Sequence, residues 1–327
     1  MSNRNSQPNE PTTDESPRVI GGRFRVLNTY NGAYGSVHEV IDSISESRFA
    51  AKTFAADVID NVPGLAFQNE CVNALGLPLN PHVVPGYFTL HLDQRPYLFS
   101  EWVSGPSLFS AVNDSGPMAE SEAIAFCIDL SRGLSHIHRN NLIHLDLHPG
   151  NILLFTEANG TYARIVDFGL ARIWLPFARK TAFSPRTAPF TAPELRSNGP
   201  VGTAADIYSL GILALWMVNG TVGSTEELRT LDSPESFGMS PSFMRIIQAC
   251  IHENPDKRFK AVDAQREFEM LVRERPSPTP STSVALRQHS REVSMGMAMK
   301  FGVASIRDVD FLALLFQCRE LVFIWLL

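Results

Sequence analysis

The order of apolar and polar positions divides the chain into a strand-rich first third and a helix-rich remainder. Short runs of β-branched and aromatic residues between turn-forming residues predict strands, at residues 24–27, 36–41, 49–54 and 97–103. Apolar positions that repeat with helical spacing predict helices, at residues 65–75, 121–139, 207–218 and 261–273. Residues 207–218 are apolar around most of the helix, so we expect that helix to be buried. The pattern predicts an α+β protein with two lobes and a cleft between them.

The charge and the cysteine content limit the classes of binding partner and the cellular compartment that we expect. The 327 residues carry 28 Lys and Arg against 34 Asp and Glu, a formal net charge of −6. Because nucleic-acid-binding proteins need a surplus of basic residues, we expect no nucleic-acid partner. The four cysteines lie far apart and lack the paired spacing of a metal site, at positions 71, 127, 250 and 318. We expect reduced thiols and a cytoplasmic or nuclear protein.

Both ends of the chain differ in composition from the middle. Residues 1–17 are polar and contain no secretory signal, and we expect a disordered arm over residues 1–20. Residues 274–310 begin with a Pro/Ser/Thr-rich linker, and residues 311–327 are strongly apolar. The apolar segment is shorter than the ~20 residues of a membrane helix and contains Arg319 and Glu320. We therefore expect no membrane span. Three alternatives stay open for this segment: it docks on the body of the protein, it binds a partner, or it is a non-native end of the chain.

Two glycines and a lysine in the first third are compatible with a phosphate site. Gly32 and Gly35 lie between two predicted strands, where glycine lets backbone amides approach phosphate oxygens. Lys52 ends a predicted strand, and Glu70 on the following helix can hold it as an ion pair. An ordinary hairpin with solvated charges explains these residues equally well, so they decide nothing alone.

Acidic and amide residues in the second third form an ordered series of segments. Residues 143–154 (IHLDLHPGNILL) place Asp146 and Asn151 in a loop between apolar runs, and Asp167 follows in IVDFGLA. Three further segments come in order, TAPE at 191–194, DIYSLG at 206–211 and NPDKRF at 254–259. Any one of these segments is a coincidence, but the ordered set is not.

In these segments the chain resembles the eukaryotic protein kinase family, over about residues 24–272. The resemblance implies a bilobal fold within residues 21–273, with a small β-rich N-lobe (about 21–103) and a larger, mainly helical C-lobe (about 104–273). It implies an ATP-dependent enzyme that uses Mg²⁺ and transfers the γ-phosphoryl group to Ser or Thr hydroxyls of proteins. We expect the protein to be a monomer.

The same resemblance implies a role for individual residues. Asp146 accepts the proton of the incoming hydroxyl, and Thr187 lies beside it, as in serine/threonine-specific kinases. Asn151 and Asp167 hold Mg²⁺. The residues implied around the nucleotide are Leu27, Gly32, Gly35, Val37, Ala50, Glu101, Val103 and Lys52, the last being oriented by Glu70. Outside the site, Glu194 and Arg258 are implied to form a buried ion pair, and Asp206 to lie at the start of the buried helix.

Three residues depart from the family pattern. Tyr30 replaces the first glycine of the phosphate-covering loop, which favours weaker nucleotide binding. Leu145 replaces the Arg that receives a phosphorylated activation loop, so we expect activity that does not depend on that phosphorylation. His148 replaces the catalytic-loop Lys, and the lost charge predicts slow turnover that improves below pH 7.

Two alternative functions stay open. The three departures are compatible with a pseudokinase scaffold that binds nucleotide weakly, although Lys52, Asp146, Asn151 and Asp167 are all present. The string DLHPGN at 146–151 also resembles small-molecule kinases of the aminoglycoside phosphotransferase type, which are not expected to carry the Ala-Pro-Glu segment or Arg258.

Overall fold

An antiparallel six-stranded sheet forms the smaller lobe in the computed structural model, which describes residues 18–31, 35–54, 71–168, 172–173, 188–196, 201–221 and 238–274. The strands follow the spatial order β1-β2-β3-β4-β6-β5. Their bounds are β1 Val19–Ile20, β2 Phe24–Asn31, β3 Gly35–Asp42, β4 Arg48–Phe54, β5 Gly86–Leu92 and β6 Arg95–Glu101. Residues 71–76 form helix α1.

One face of this sheet is packed with aromatic rings, and the other face is turned towards the cleft. Phe99 stacks on Phe88 at 4.8 Å and meets Phe49 edge-on at 6.1 Å between ring centroids. Side chains alternate between the two faces of a strand. Ala50 and Lys52 therefore project from the face opposite to Phe49, which leaves them available to line a cleft.

Helices form the larger lobe. They are α2 Leu108–Ser115, α3 Glu120–Arg139, α4 Pro193–Arg196, α5 Ala204–Asn219, α6 Pro241–Cys250 and α7 Ala261–Glu274. Residues 205–217 of α5 are all buried, which confirms the buried helix expected from its sequence. Four short strands lie at the cleft side of this lobe, namely β7 Leu142–Ile143, β8 Ile152–Glu157, β9 Gly160–Ile165 and β10 Arg172–Ile173. Strands β7 and β9 lead directly into the segments that contain Asp146 and Asp167.

The expected two-lobed α+β architecture is confirmed, with differences at its borders. The prediction of a disordered arm over residues 1–20 is wrong at the C-terminal end of that range, because Val19–Ile20 form β1 and pair with β2. Ile20 belongs to the sheet core and is buried, since an apolar side chain gains more from that packing than from solvent-exposed disorder. Strand β6 stops at Glu101 rather than at residue 103, and α7 continues to Glu274. The linker and the apolar segment expected after it lie outside the described residues.

Within the described ranges, no helix has both the length and the apolar character needed to cross a membrane.

A buried carboxyl group on α3 predicts a pH effect on stability. Asp129 accepts a hydrogen bond from the Ala163 amide (3.1 Å) and lies 3.3 Å from Nδ1 of His82. Burial raises the pKa of Asp129 to about 7, against the smaller lowering effects of the Ala163 amide and the Arg132 charge. The folded protein therefore keeps a proton that the unfolded chain loses near pH 4, so the free energy of unfolding falls as the pH rises from about 4 to about 7.

Urea unfolding at pH 5 and pH 7 measures this effect. We expect the wild-type protein to lose stability between the two pH values by more than Asp129→Asn, in which residue 129 cannot ionise. The limit of the difference is roughly 1.4 kcal/mol per unit of pKa shift within that pH interval. An equal loss in both proteins would show that Asp129 does not titrate in this range.

Candidate active site

The loop after β7 is held in place by a carboxylate of the buried helix α5. Asp206 accepts hydrogen bonds from the backbone amides of His144 (2.9 Å) and Leu145 (2.8 Å), and lies 2.8 Å from Nε2 of His138 at the end of α3. Burial acts to raise the pKa of Asp206, but the His138 contact and the loop groups lower it below its usual value. Asp206 therefore stays ionised and fixes the loop conformation from inside the larger lobe, at the helix start expected from the sequence.

His144 connects this loop to the segment that contains Asp167. Its Nδ1 accepts from the Asp146 amide at 3.3 Å, so Nε2 carries the proton that is donated to the Val166 carbonyl at 3.1 Å. Its ring centroid is 5.4 Å from that of Phe168. Burial lowers the pKa of His144, which favours the neutral ring that this arrangement requires. The two segments are thus held side by side.

The backbone adopts a rare conformation at Asp167 and at Leu145, the residue before Asp146. Leu145 has φ 65° and Asp167 has φ 69°, in the left-handed region that residues other than glycine seldom occupy. Each costs on the order of 1–3 kcal/mol and persists only where surrounding contacts impose it. For Leu145 those contacts are the hydrogen bond to Asp206 and the burial of its side chain.

Asp146 and Asn151 are joined by hydrogen bonds within the loop. The Asn151 side-chain nitrogen donates to the Asp146 carbonyl at 2.9 Å and to its carboxylate at 3.1 Å. Burial and then the charge of Asp167 raise the pKa of Asp146 to about 7, against the smaller lowering effects of Asn151 and Lys52. A carboxylate with a pKa near neutrality is suited to accept a proton from a substrate.

Lys52 and Asp167 form an ion pair across the cleft. Lys52 Nζ lies 2.9 Å from Asp167 Oδ1, although one residue belongs to β4 of the smaller lobe and the other follows β9 of the larger lobe. Their side chains are 23% and 34% exposed, so the pair remains accessible to a ligand. The structure thus brings together the predicted lysine and the predicted acidic residue.

Asn151 and Asp167 have the donor atoms that Mg²⁺ prefers. Because the side-chain nitrogen of Asn151 is engaged by Asp146, its oxygen is the atom left for a cation. Amide and carboxylate oxygens are hard ligands, and Mg²⁺ usually binds one or two such groups together with phosphate and water. In the ranges that the structure describes, no cluster of three or more His, Cys, Asp or Glu could hold a metal by itself. These residues fit Mg²⁺ bound together with phosphate.

The cleft-facing surface of the sheet carries several of the predicted nucleotide residues. Val37 lies opposite Lys52 in the β3–β4 register, and Ala50 precedes Lys52 on the same face. Leu27 lies at an irregularity in the β2–β3 pairing. Gly35 is the first residue of β3. Gly32, Glu70 and Thr187 lie outside the described residues.

Glu101 turns its side chain away from that surface. It lies opposite Phe49, and its carboxylate accepts two hydrogen bonds from Arg164 of β9, at 2.6 and 2.9 Å. Both side chains are buried. The Glu101 amide donates to the Pro85 carbonyl at 3.3 Å. Val103 is buried, and its carbonyl accepts from the Gly105 amide at 3.1 Å.

His148 lies beside Asp146. The Gly150 amide donates to its Nδ1 at 3.1 Å, and its Nε2 is 3.7 Å from the Asp146 carboxylate. A side chain at position 150 would bring a Cβ within 2.9 Å of the imidazole, so glycine leaves room for this ring. The predicted effect of His148 on turnover stays a prediction.

The predicted pair of Glu194 and Arg258 is present and buried. The guanidinium donates two hydrogen bonds to the carboxylate, at 2.7 and 2.9 Å. It also donates to the carbonyls of His252 and Ala204, at 2.7 and 2.9 Å. This network ties the segment of α4 to the region before α7.

Sequence reasoning missed the residues that hold the site segments in place from the interior of the protein. Arg164 carries no sequence signal of its role, because a single Arg is usually solvated. His138 and His144 likewise carry no local pattern that distinguishes a buried hydrogen-bonding histidine. The only signal available was their nearness to Asp146 and Asp167 along the chain.

Comparison with known proteins agrees with this geometry. The protein kinase domain family matches residues 31–268. The serine/threonine-protein kinase PknB of Mycolicibacterium smegmatis is 27% identical over 284 residues, which cover 80% of this chain and 45% of that protein. The SNF1-related protein kinase catalytic subunit alpha KIN12 of Arabidopsis thaliana is 27% identical over 222 residues, 67% of this chain and 43% of that protein.

Myosin light chain kinase 3 of Danio rerio is 31% identical over 217 residues, 62% of this chain and 29% of that protein. The chain spans less than half the length of each of these three relatives. The family match itself extends over well more than half of the chain and includes both lobes. The chain therefore belongs to the protein kinase family.

Proposed function

We propose that this protein is an ATP-dependent protein kinase that phosphorylates Ser and Thr hydroxyls of protein substrates. The observation that carries the proposal is the convergence of four side chains in one cleft. Lys52 contacts Asp167, and Asn151 contacts Asp146, although these residues come from distant parts of the chain. An ammonium, two carboxylates and an amide are the groups needed to position a triphosphate and a hydroxyl for phosphoryl transfer.

Each group has a defined task in this reaction. The substrate hydroxyl oxygen forms a bond to the γ-phosphorus. The bond from that phosphorus to the oxygen that bridges the β- and γ-phosphorus atoms breaks. ADP leaves with the electron pair, and the hydroxyl proton passes to a carboxylate oxygen of Asp146. Lys52 would contact the α- and β-phosphates, and Asn151 and Asp167 would hold Mg²⁺. When bound, Mg²⁺ neutralises charge on the phosphate oxygens.

Two assigned residues complete the proposal. From the family resemblance we assign Glu70 the orientation of Lys52 and Thr187 the preference for Ser and Thr over Tyr; both residues lie outside the described part of the chain. Two of the relatives, PknB and the Bifidobacterium longum protein pknA2, bear names that describe serine/threonine-protein kinases. This supports the same preference here.

A radiolabel transfer assay tests the proposal. The purified full chain is incubated with γ-labelled ATP, Mg²⁺ and generic Ser/Thr substrates, beside Asp167→Asn. We expect label on Ser and Thr of the substrates with the wild-type protein and almost none with the variant. Nucleotide binding without transfer to any protein or to the chain itself would support the scaffold alternative. Transfer to an aminoglycoside instead of a protein would support the small-molecule alternative.

The environment of Leu145 predicts that activity does not depend on a phosphorylated activation loop. The side chain of Leu145 is apolar and buried, so position 145 offers no cation to receive a phosphate. We expect phosphatase treatment to leave the transfer rate unchanged, as measured with the same substrates before and after treatment. A rate that falls on dephosphorylation and returns on rephosphorylation would contradict this.

We also propose a cytoplasmic or nuclear location without a nucleic-acid partner. Cys127 and Cys250 are buried free thiols, which suits a reducing compartment. The net charge of −6 gives no basis for nucleic-acid binding.

A further inference from the structure

We infer that Tyr30 and Trp102 form an aromatic clasp at the rim of the cleft, which retains bound nucleotide and slows the release of ADP. The two ring centroids are 5.9 Å apart, and the ring planes are inclined by 32°. This distance falls within the range of about 4.5–7 Å that is typical of favourable aromatic pairs. The inference rests on the proposed function, because it requires that the cleft binds ATP and ADP.

The strand register places Tyr30 on the cleft-facing side of the sheet. Tyr30 of β2 lies opposite Val37 of β3, and Val37 lies opposite Lys52 of β4. Residues directly opposite in antiparallel strands project to the same face. Because adjacent strands are about 4.8 Å apart, Tyr30 lies roughly 10 Å from Lys52 towards the edge of the sheet. Tyr30 is 53% exposed, so its ring is at the rim of the cleft and not inside it.

Trp102 approaches the rim from the opposite side. It follows the last residue of β6, and β3 and β4 lie between β6 and β2 in the sheet. The two rings therefore do not meet as neighbours on adjacent strands. They meet across the surface that carries Val37 and Ala50. The preceding residue, Glu101, is fixed by its two hydrogen bonds to Arg164, so Trp102 is presented by an anchored backbone.

The contact changes what is expected from the departure at position 30. The glycine that the family pattern has there lacks a side chain and cannot reach Trp102. Tyr30 instead ties the end of β2 to Trp102. Nucleotide that leaves past this edge of the cleft must separate the two rings. The sequence favoured weaker binding at Tyr30, whereas the contact with Trp102 leads us to expect slower release.

Stopped-flow release of a fluorescent, ribose-labelled ADP tests the aromatic clasp. The full chain is loaded with the labelled ADP and mixed with excess unlabelled ADP. The variants are Tyr30→Gly, Trp102→Leu, the double variant and Tyr30→Phe, which keeps the ring. The matched control is Phe109→Ala, since Phe109 is also an exposed aromatic residue (45%) stacked on a tryptophan, Trp216, at 6.3 Å.

We expect Tyr30→Gly and Trp102→Leu each to accelerate release by about 2- to 10-fold, the range that an aromatic pair supports. The double variant should release ADP no faster than the faster single variant, because both changes remove the same contact. Tyr30→Phe and Phe109→Ala should match the wild type. In steady state, the KM for ATP should rise in the two single variants without a fall in kcat.

Unchanged or slower release in both single variants would overturn the inference, and so would effects that multiply in the double variant. In either case the wild-type protein still binds nucleotide, and the proposed function stands. A wild-type protein that binds no labelled ADP would overturn the proposed function and the inference together. A folding defect in Tyr30→Gly does not decide the result, because Trp102→Leu removes the same contact from a separate segment, after the end of β6.

Discussion

Replacing Asp146 with Asn is expected to lower kcat by about 10²- to 10⁴-fold, the range for loss of a positioned proton acceptor. The amide has nearly the same shape as the carboxylate but cannot take up the hydroxyl proton. The Asn151 side chain still has the backbone carbonyl of residue 146 as its acceptor, at 2.9 Å. The loop also keeps its attachment to Asp206 through His144 and Leu145. The loss should therefore be chemical rather than structural.

Two measurements test this effect: the steady-state rate at which a peptide substrate is phosphorylated, and the affinity of the protein for ADP. We expect kcat to fall while the affinity for ADP changes little, because the proposed role of Asp146 is to contact the hydroxyl and not the nucleotide. Asp114→Asn is the matched control, since Asp114 is an exposed carboxylate on α2 outside the cleft. A kcat for Asp146→Asn equal to that of the control would remove Asp146 from its assigned role.

Replacing Arg258 with Met is expected to lower the free energy of unfolding by about 3–5 kcal/mol. The change leaves the Glu194 carboxylate buried without the two hydrogen bonds that Arg258 donates, at 2.7 and 2.9 Å. It also removes the donor to the carbonyls of His252 and Ala204. The guanidinium carbon lies 5.1 Å from the centre of the Tyr208 ring, so packing is lost as well.

A second Arg–Glu pair in the same lobe provides the control for Arg258→Met in urea unfolding. Arg132 lies 2.7 Å from Glu269, but their side chains are 29% and 25% exposed. Because water can solvate the remaining charge, Arg132→Met should lower the free energy of unfolding by only about 0–1 kcal/mol. Similar losses in the two variants would show that burial does not determine the strength of the Glu194–Arg258 pair.

Short segments of the sequence were enough to predict the central residues of the site. Asp146 and Asn151 lie in one loop, and Asp167 follows a short hairpin, so their order along the chain already indicated a common site. The buried helix that begins near Asp206 was predictable because apolar residues surround it on all sides. Such features depend on neighbouring positions, which a single sequence displays directly.

Other elements were too short to leave a pattern. Strands β1, β7 and β10 contain two residues each, which is too few for an alternation of apolar and polar positions. Each exists because a partner strand supplies its hydrogen bonds, as β2 does for Val19–Ile20. Their formation depends on the assembled lobes rather than on their own composition.

By itself, the sequence determined the family, the two lobes and the identity of the groups meant to meet at the cleft, because these follow from local motifs in a fixed order. Only the tertiary structure decided which side chains hold those groups in place. Arg164 with Glu101 and Tyr30 with Trp102 join residues far apart in the chain, and nothing in the neighbouring sequence of either residue indicates its partner. Such pairs arise when folding brings distant strands together, so their partners cannot be read from neighbouring positions.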